Sequence, residues 1–272
     1  MKKLYLKVKI YLYNQKVFYF LVGLLFASAI YFYTENQYEK EIFVALKKFT
    51  LSKISIHQQQ NTDSILVAAT ATTHELEKSR QAMFAQLDGK TLKSKYLQPI
   101  TYDLMTGQGA CGSNSYVLGR LLKEFGIDVK FAQMYVNGTP GGHIVIEAKK
   151  DTSWVVLDAL YNQYFVDSLG RLASFSAVGK NWDYYKKQIN EGYDEKYKYE
   201  KVQYTNWNKI PVVLPFIRKI LVLVKGEDFV QTLSLRNILL QKFRVLYFST
   251  LFILLLILVK RSINFYKIKK LS

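Results

Sequence analysis

The sequence predicts an α+β domain, with helices packed on a small antiparallel sheet, flanked by two transmembrane helices. Two apolar runs, residues 17–33 and 243–259, are near the minimum length for spanning a bilayer. They leave about 200 residues between them, which is an ordinary domain size. Between the runs, a segment with helical periodicity is followed by two short segments that favour β-strands.

Most of the formal net charge of +17 lies beside the two apolar runs. Residues 1–16, Arg244 and residues 260–272 hold 11 basic and no acidic residues, which leaves the middle with only +6. Cytoplasmic flanks are enriched in Lys and Arg, so we expect a two-pass protein of the cell membrane with both termini in the cytoplasm and the middle exported. No basic and aromatic recognition module accompanies the charge, which excludes nucleic acid as the expected partner and leaves the lipid bilayer.

The first apolar run contains Ala27-Ser28-Ala29, which has the small-x-small form of a signal-peptidase site. The apolar stretch continues through residues 30–33, which favours retention of the run as an anchor. Cleavage as a signal peptide is the alternative. In both cases the second run holds the protein in the membrane.

These patterns divide the chain into seven segments. In order, they are a basic cytoplasmic leader (1–16), the first transmembrane helix (17–33), a juxtamembrane helix and linker (34–61), a central domain (62–180), an aromatic-rich extension with a membrane-proximal segment (181–242), the second transmembrane helix (243–259) and a basic cytoplasmic tail (260–272).

Two parts of the extension have alternative interpretations. The tyrosines and tryptophans of residues 181–208 fit a groove for a glycan or extended peptide, but we favour a domain exterior near the membrane interface. Residues 211–224 are apolar but interrupted by Pro215, Arg218 and Lys219. The interruptions favour a membrane-surface or core helix over a third span.

Cys111 is the only cysteine, and it opens the segment with helical periodicity. Leu118, Leu121, Leu122 and Phe125 recur at helical spacing after it. A helix start presents unpaired N–H groups and partial positive charge, which favour a thiolate and a developing oxyanion. An unpaired thiol in an exported domain indicates reactivity, whereas a small buried side chain is the structural alternative.

Residues 143–148 and 154–158 favour adjacent strands of a hairpin. A loop closed at Lys150-Asp151, or at residues 149–152, places His143 directly opposite Asp158. Opposed residues have Cβ atoms about 4.5 to 5.5 Å apart, within reach of an imidazole–carboxylate hydrogen bond.

A loop of three or five residues shifts the register by one and separates the pair. Residues 137–142 are rich in turn formers and are expected to form the preceding loop. Glu147 is expected to be solvated or structural, and His57 and His74 are expected at the surface.

Three segments together resemble the transglutaminase-like superfamily, which is related to papain-type cysteine proteases. They are Gly109-Ala110-Cys111-Gly112-Ser113 at a helix start, Gly142-His143 at a strand start, and Trp154-Val155-Val156-Leu157-Asp158 at a strand end. The similarity covers roughly residues 62–165. It implies a papain-like core for the central domain.

The resemblance also implies a role for each residue of the triad. Cys111 is the expected nucleophile, His143 the general base and acid, and Asp158 the group that orients the imidazole. Gln108 is a candidate oxyanion-hole side chain. Gly112 stands where animal transglutaminases have an aromatic residue, so their particular chemistry does not transfer.

The sequence therefore predicts a membrane-anchored cysteine enzyme that acts on peptide or protein amide bonds in the cell envelope through a thioester. Acyl transfer to water, as in a peptidase or amidase, is favoured over transfer to an amine, which cross-links. The alternative is a non-catalytic scaffold that binds an envelope polymer or assembly partner. No cofactor is expected, and one cysteine, three scattered histidines and no acidic cluster argue against zinc or calcium.

Overall fold

The computed structural model describes residues 2–84 and 98–271. In these ranges the protein is α+β, with a small antiparallel sheet of five strands and a larger share of helix. The chain forms two compact units. One unit runs up to Lys40 and resumes at Gln241, and the other is Glu41–Leu240.

The described residues form the following helices and strands. In chain order they are α1 (Lys2–Ser52), α2 (Thr62–Phe84), α3 (Ile100–Thr106), α4 (Cys111–Glu124), β1 (Val129–Val136), β2 (Thr139–Lys150), β3 (Ser153–Asp158), β4 (Gln163–Tyr164), α5 (Phe175–Lys180), α6 (Trp182–Tyr185), β5 (Val202–Gln203), α7 (Val213–Lys225), α8 (Glu227–Thr232), α9 (Arg236–Leu239) and α10 (Lys242–Leu271), with 3-10 turns at Gln58–Gln60 and Lys186–Gln188.

Two helices are long and apolar enough to cross a membrane. They are Gln15–Ser52 of α1 and Lys242–Ile263 of α10. In the most apolar 18-residue stretch of each helix, only 6% and 17%, respectively, is buried inside the protein, whereas the core helix of a soluble protein is mostly buried. Both expected transmembrane segments, residues 17–33 and 243–259, lie inside these helices.

Helix α1 continues without a break past the first apolar run. The sequence predicts a separate juxtamembrane helix within residues 34–61, but the structure joins that segment to the span and ends the helix at Ser52. The reason is local, because residues 24–52 contain neither Gly nor Pro to interrupt the backbone hydrogen bonds.

The sheet has the order β4-β3-β2-β1-β5, and every neighbouring pair is antiparallel. Strands β1 and β2 are joined at Asn137-Gly138, where both residues have positive φ (50° and 76°). An Asn-Gly pair supplies the two positive φ angles that a tight hairpin turn requires. The turn is therefore shorter than expected, and residues 139–142, predicted as loop, belong to β2.

The register of β2 against β3 differs from the prediction. Lys150 pairs with Ser153 and Ile146 with Leu157, so the turn is Asp151-Thr152. Asp151 adopts a φ of 51°, which Asp tolerates better than most residues and which closes the hairpin one position later than expected. Continuing this pairing places Asp158 opposite residue 145, so the expectation that Asp158 lies directly opposite His143 is wrong.

Helices cover one face of the sheet. Phe131, Ile146 and Leu157 pack there with Leu118 and Leu122 of α4 in one buried cluster. Side chains alternate between the two faces of a strand, so the neighbouring residues of β2 and β3 point to the other face. His143 and Asp158 each lie an even number of residues from a residue of that second face, so their side chains point to it as well.

The second face is covered by tyrosines and phenylalanines from the segment after β3. Val145 and Val156 pack there with Phe165, Tyr193 and Tyr199. The expectation of a domain exterior for the tyrosines of residues 181–208 is wrong for Tyr185, Tyr193, Tyr197 and Tyr199, which are buried. Tyr193 donates to the Tyr199 hydroxyl at 2.9 Å, so the buried polar ends find partners.

Candidate active site

Cys111 is the first residue of α4, so its thiol stands at the positive end of the helix dipole. The chain enters this helix abruptly, with Ala110 at φ 45° and ψ −125°. The N–H groups of Gly112 and Asn114 donate to the carbonyl oxygens of Gly109 and Ala110. Among the described residues the Cys111 N–H has no such backbone acceptor, and it is the helix-start donor that remains for a ligand.

Hydrogen bonds fix the loop that delivers Cys111. The Ser113 hydroxyl accepts the Gly109 N–H at 2.9 Å and donates to Asp103 Oδ1 at 2.9 Å. Gly107 ends α3 with a φ of 60°, and a Cβ there would lie 2.8 Å from a carbonyl oxygen of α2. The loop is therefore bound to α3 and α4 and packed against α2, which holds the backbone under the sulfur in place.

His143 and Asp158 form a hydrogen-bonded pair inside the domain. Nε2 of His143 lies 2.6 Å from Oδ2 of Asp158, and both side chains are 1% exposed. The other carboxylate oxygen accepts the N–H of Leu160 at 3.0 Å. A carboxylate only accepts, so Nε2 carries the proton in this pair, and Nδ1 is the nitrogen left to react.

The Cys111 thiol interacts with the His143 side chain and with the backbone of Ile144. Because Asp158 occupies Nε2, the ring nitrogen that remains for the thiol is Nδ1. In the described part of the chain Nδ1 is buried without a partner that meets full hydrogen-bond geometry. The thiol and the imidazole are therefore close enough to interact electrostatically, although no hydrogen bond between them meets full geometry.

The three groups together favour an ion pair of thiolate and imidazolium. Burial lowers the pKa of His143, but the charge and hydrogen bond of Asp158 and smaller contributions from Cys111 outweigh it and raise the pKa to about 9. Burial raises the pKa of the Cys111 thiol, but the hydrogen bond and charge of His143 outweigh it and lower the pKa. A cysteine attacks a carbonyl carbon as the thiolate, so the site favours the reactive form.

The Gln108 side chain hydrogen-bonds to residues of α2 and α3. Its Nε2 donates to the Phe84 carbonyl oxygen at 3.3 Å, and its Oε1 accepts from the Tyr102 hydroxyl at 3.3 Å. The structure places this amide, expected in the oxyanion hole, against the end of α2. The Cys111 N–H at the helix start is a second candidate for that role.

Two tyrosines cover the His143 ring, and the sequence did not single them out. Tyr197 stacks on the imidazole, with ring centroids 4.3 Å apart and planes inclined by 13°, and the Tyr161 ring lies 5.8 Å away. An aromatic face beside an imidazolium is favourable. The only signals were the crowding of tyrosines in residues 181–208 and the position of Tyr161 shortly after Asp158, and neither indicates which ring reaches the imidazole.

A cavity of about 490 Å³ opens beside the triad. Its lining includes His74 and Lys78 of α2, Asn114 of α4, and Tyr161 from the loop after β3. Cys111, His143 and Asp158 do not line the cavity, but two lining residues are their neighbours, because Asn114 lies one helical turn after Cys111 and Tyr161 contacts His143. Its polar side chains can donate to and accept from the amides of a peptide-like substrate.

Two further titratable groups have structural roles. His74 is half-buried, and its Nδ1 hydrogen-bonds the Leu160 carbonyl oxygen at 2.9 Å, so the expectation of a surface position is wrong. This bond ties α2 to the loop that follows Asp158. Glu147 is buried on the second face of the sheet and accepts a hydrogen bond from the Tyr204 hydroxyl.

Within residues 2–84 and 98–271, no three or more His, Cys, Asp or Glu side chains are grouped so that they could hold a metal ion. No protein-family model, curated protein or solved structure matches the chain. What the site does is therefore argued from its own residues.

Proposed function

We propose that this chain is a membrane-anchored cysteine enzyme that acts on peptide or protein amide bonds in the cell envelope. Cys111 is the nucleophile, His143 the general base and acid, and Asp158 the residue that positions the imidazole. One observation carries this proposal. A buried imidazole is held by a carboxylate through Nε2 and faces the only thiol of the chain with its other nitrogen.

In the first half-reaction the Cys111 thiolate attacks the carbonyl carbon of the amide, and the C=O electron pair moves to the oxygen. The Cys111 N–H stabilises that oxyanion at the helix start. When the tetrahedral intermediate collapses, the C–N bond breaks and His143 gives its Nδ1 proton to the leaving amine. The products are a free amine, neutral His143 and a thioester on Cys111.

In the second half-reaction neutral His143 accepts a proton from the incoming nucleophile, which attacks the thioester. Water yields a carboxylic acid, as in a peptidase or amidase, and an amine yields a new amide, as in cross-linking. The C–S bond breaks in both cases and the thiolate–imidazolium pair is restored. We favour water, because the polar cavity beside Tyr161 is open to solvent.

The order of the parts supports assignment to the transglutaminase-like superfamily, which the sequence resembles at the same residues. A helix starts with Cys111, the hairpin of β2 and β3 carries His143 on its first strand, and Asp158 ends its second strand.

We also propose that α1 and α10 anchor the protein with both termini in the cytoplasm. The basic flanks of the apolar runs support this orientation.

A thiol-labelling experiment on the full chain in lipid nanodiscs tests the enzyme proposal. Wild type and His143→Ala are treated with iodoacetamide across a pH series, and Cys111 alkylation is followed by intact-protein mass spectrometry. We expect wild type to react faster at neutral pH, because only wild type holds the thiolate beside an imidazolium. A thiol that reacts slowly in both proteins, with an ordinary pH dependence, points to the non-catalytic scaffold and contradicts the proposal.

A second experiment separates the two fates of the thioester. Envelope fractions are incubated with wild type and with Cys111→Ala in the presence of a biotinylated primary amine. Biotin incorporation that depends on Cys111 indicates transfer to an amine, whereas new carboxylate ends without biotin indicate hydrolysis. The labelled or cleaved chains also identify the substrate.

A further inference from the structure

Helix α7 presents its apolar side outward. Placing residues 213–225 at 100° steps puts six apolar residues on one continuous arc of the helix surface. None of the α7 residues is buried, so the helix does not serve the core. The arc consists of Val213, Phe216, Ile217, Ile220, Leu223 and Val224, and every member is exposed.

The exposure of this arc is large for apolar side chains. Leu223 is 86% exposed and Phe216 is 63% exposed. On the other side of the helix, Leu214, Leu221 and Val222 are half-buried, and the Arg218 guanidinium pairs with the Glu227 carboxylate of α8, so this side of α7 is the one fixed against the domain. A soluble protein rarely leaves an apolar arc of this size exposed, so the arc of α7 marks a surface that contacts something else.

The charge around the arc fits an anionic surface. The segment from Lys209 to Lys225 contains four basic residues and no acidic residue. Lys219 and Lys225 are exposed beside the apolar arc. Two copies of this helix brought face to face would oppose like charges, whereas acidic lipid headgroups attract them. The charge therefore favours a lipid surface over a second copy of the chain.

The length of α7 fits a helix that lies on a bilayer. Its 13 residues span about 20 Å, which is shorter than the ~30 Å hydrocarbon core. In the sequence only residues 226–241 separate α7 from α10, the helix that we propose as an anchor. A tether of that length keeps α7 within reach of any bilayer that α10 crosses.

We infer that α7 is an interfacial helix, with its apolar arc in the acyl-chain boundary of an anionic bilayer and its lysines among the headgroups. The inference rests on the proposed membrane anchoring and is independent of the proposed chemistry. It places the α7 side of the domain of residues 41–240 at the membrane surface.

Site-directed spin labelling of the full chain in anionic nanodiscs tests this inference. In a Cys111→Ser background, single cysteines are introduced as Phe216→Cys and Leu223→Cys on the arc and Lys225→Cys as the matched exposed control off the arc. Phe252→Cys on α10 reports anchoring. Relaxation enhancement is measured with oxygen, which concentrates in lipid, and with a water-soluble nickel chelate.

We expect the ratio of the oxygen to the nickel relaxation enhancement to be severalfold higher at positions 216 and 223 than at 225. In nanodiscs without anionic headgroups, or at high salt, the ratio at 216 and 223 should fall to the value at 225. Equal nickel access at 216, 223 and 225 in the anionic bilayer overturns the inference. So does spin–spin broadening at 223, which indicates a second copy, or exclusion of both reagents, which indicates a protein partner. A water-accessible label at 252 contradicts the proposed anchoring by α10. The label at 252 therefore distinguishes failure of the anchoring proposal from failure of the interfacial-helix inference alone.

Discussion

Replacement of Asp158 by asparagine is the most direct test of the electrostatics of the site. Asn keeps the size of the side chain but removes its charge. Both groups that contact the carboxylate, Nε2 of His143 and the N–H of Leu160, are donors. An amide has one accepting oxygen and one donating nitrogen, so Asn can satisfy only one of the two.

The magnitude follows from the pKa of His143. It is raised from 6.5 to about 9, which corresponds to roughly 3 kcal/mol in favour of the imidazolium. Asp158 supplies the largest part of that rise, while burial, which lowers the pKa, stays in the variant. We therefore expect the His143 pKa in Asp158→Asn to fall by two units or more and the imidazolium to be lost at neutral pH.

Loss of the imidazolium removes the group that stabilises the Cys111 thiolate. Burial, the largest factor that acts on this thiol, then raises its pKa with less to oppose it. We therefore expect the thiolate to form at higher pH than in wild type. Titration of the thiolate ultraviolet absorbance, corrected with Cys111→Ala for tyrosine ionisation, measures this change.

The direction of the pH dependence is fixed by the sign of the shifts. In wild type the reactive pair forms as the thiol loses its proton and is lost as the imidazolium deprotonates, which occurs as pH rises through about 9. In Asp158→Asn we expect the thiolate midpoint to move upward and the imidazolium midpoint downward. An unchanged thiolate midpoint in a folded Asp158→Asn protein refutes the electrostatic account of the site.

Three further predictions concern the surroundings of the triad. Burial and then Asp103 raise the pKa of Glu77 to about 8, so the free energy of unfolding of wild type falls as pH rises from 4.5 toward 8. Glu77→Gln should remove that loss, which is on the order of a few kcal/mol, as measured by urea unfolding at pH 8. Tyr197→Leu removes the ring stacked on His143 and should lower the pKa of His143 by about half a unit, measured by NMR titration of the imidazole. Gly107→Ala forces a Cβ into α2 at φ 60° and should cost about 1 kcal/mol or more in thermal unfolding, with slower labelling of Cys111.

Elements with a strong periodic pattern could be predicted from the sequence. The spacing of Leu118, Leu121 and Leu122 predicts a helix from Cys111, and the structure has one over Cys111–Glu124. Residues 143–148 and 154–158 were predicted as strands and lie within β2 and β3. These signals are local, so they do not depend on which partner each element finds.

The contacts of single side chains could not be predicted in the same way. Gln108 precedes Cys111 by three residues, and its amide donates to the Phe84 carbonyl oxygen at the end of α2. The burial of Tyr199 depends on a sheet face that the sequence does not reveal and on a hydroxyl partner, Tyr193, six residues away. Each outcome is decided by packing between distant segments, which composition does not encode.

The His143–Asp158 pair survives the error in the predicted register, and the reason is geometric. The observed hairpin is shifted by two residues from the expected one, so the two residues are diagonal neighbours instead of directly opposed. A shift of two keeps both side chains on one face of the sheet, where diagonal Cβ atoms lie about 7 to 8 Å apart or somewhat less, a distance that an imidazole and a carboxylate span together. A shift of one would have put them on opposite faces. The pairing therefore tolerates a register error of two residues but not of one, because it needs the same face of the sheet and no more than a diagonal separation.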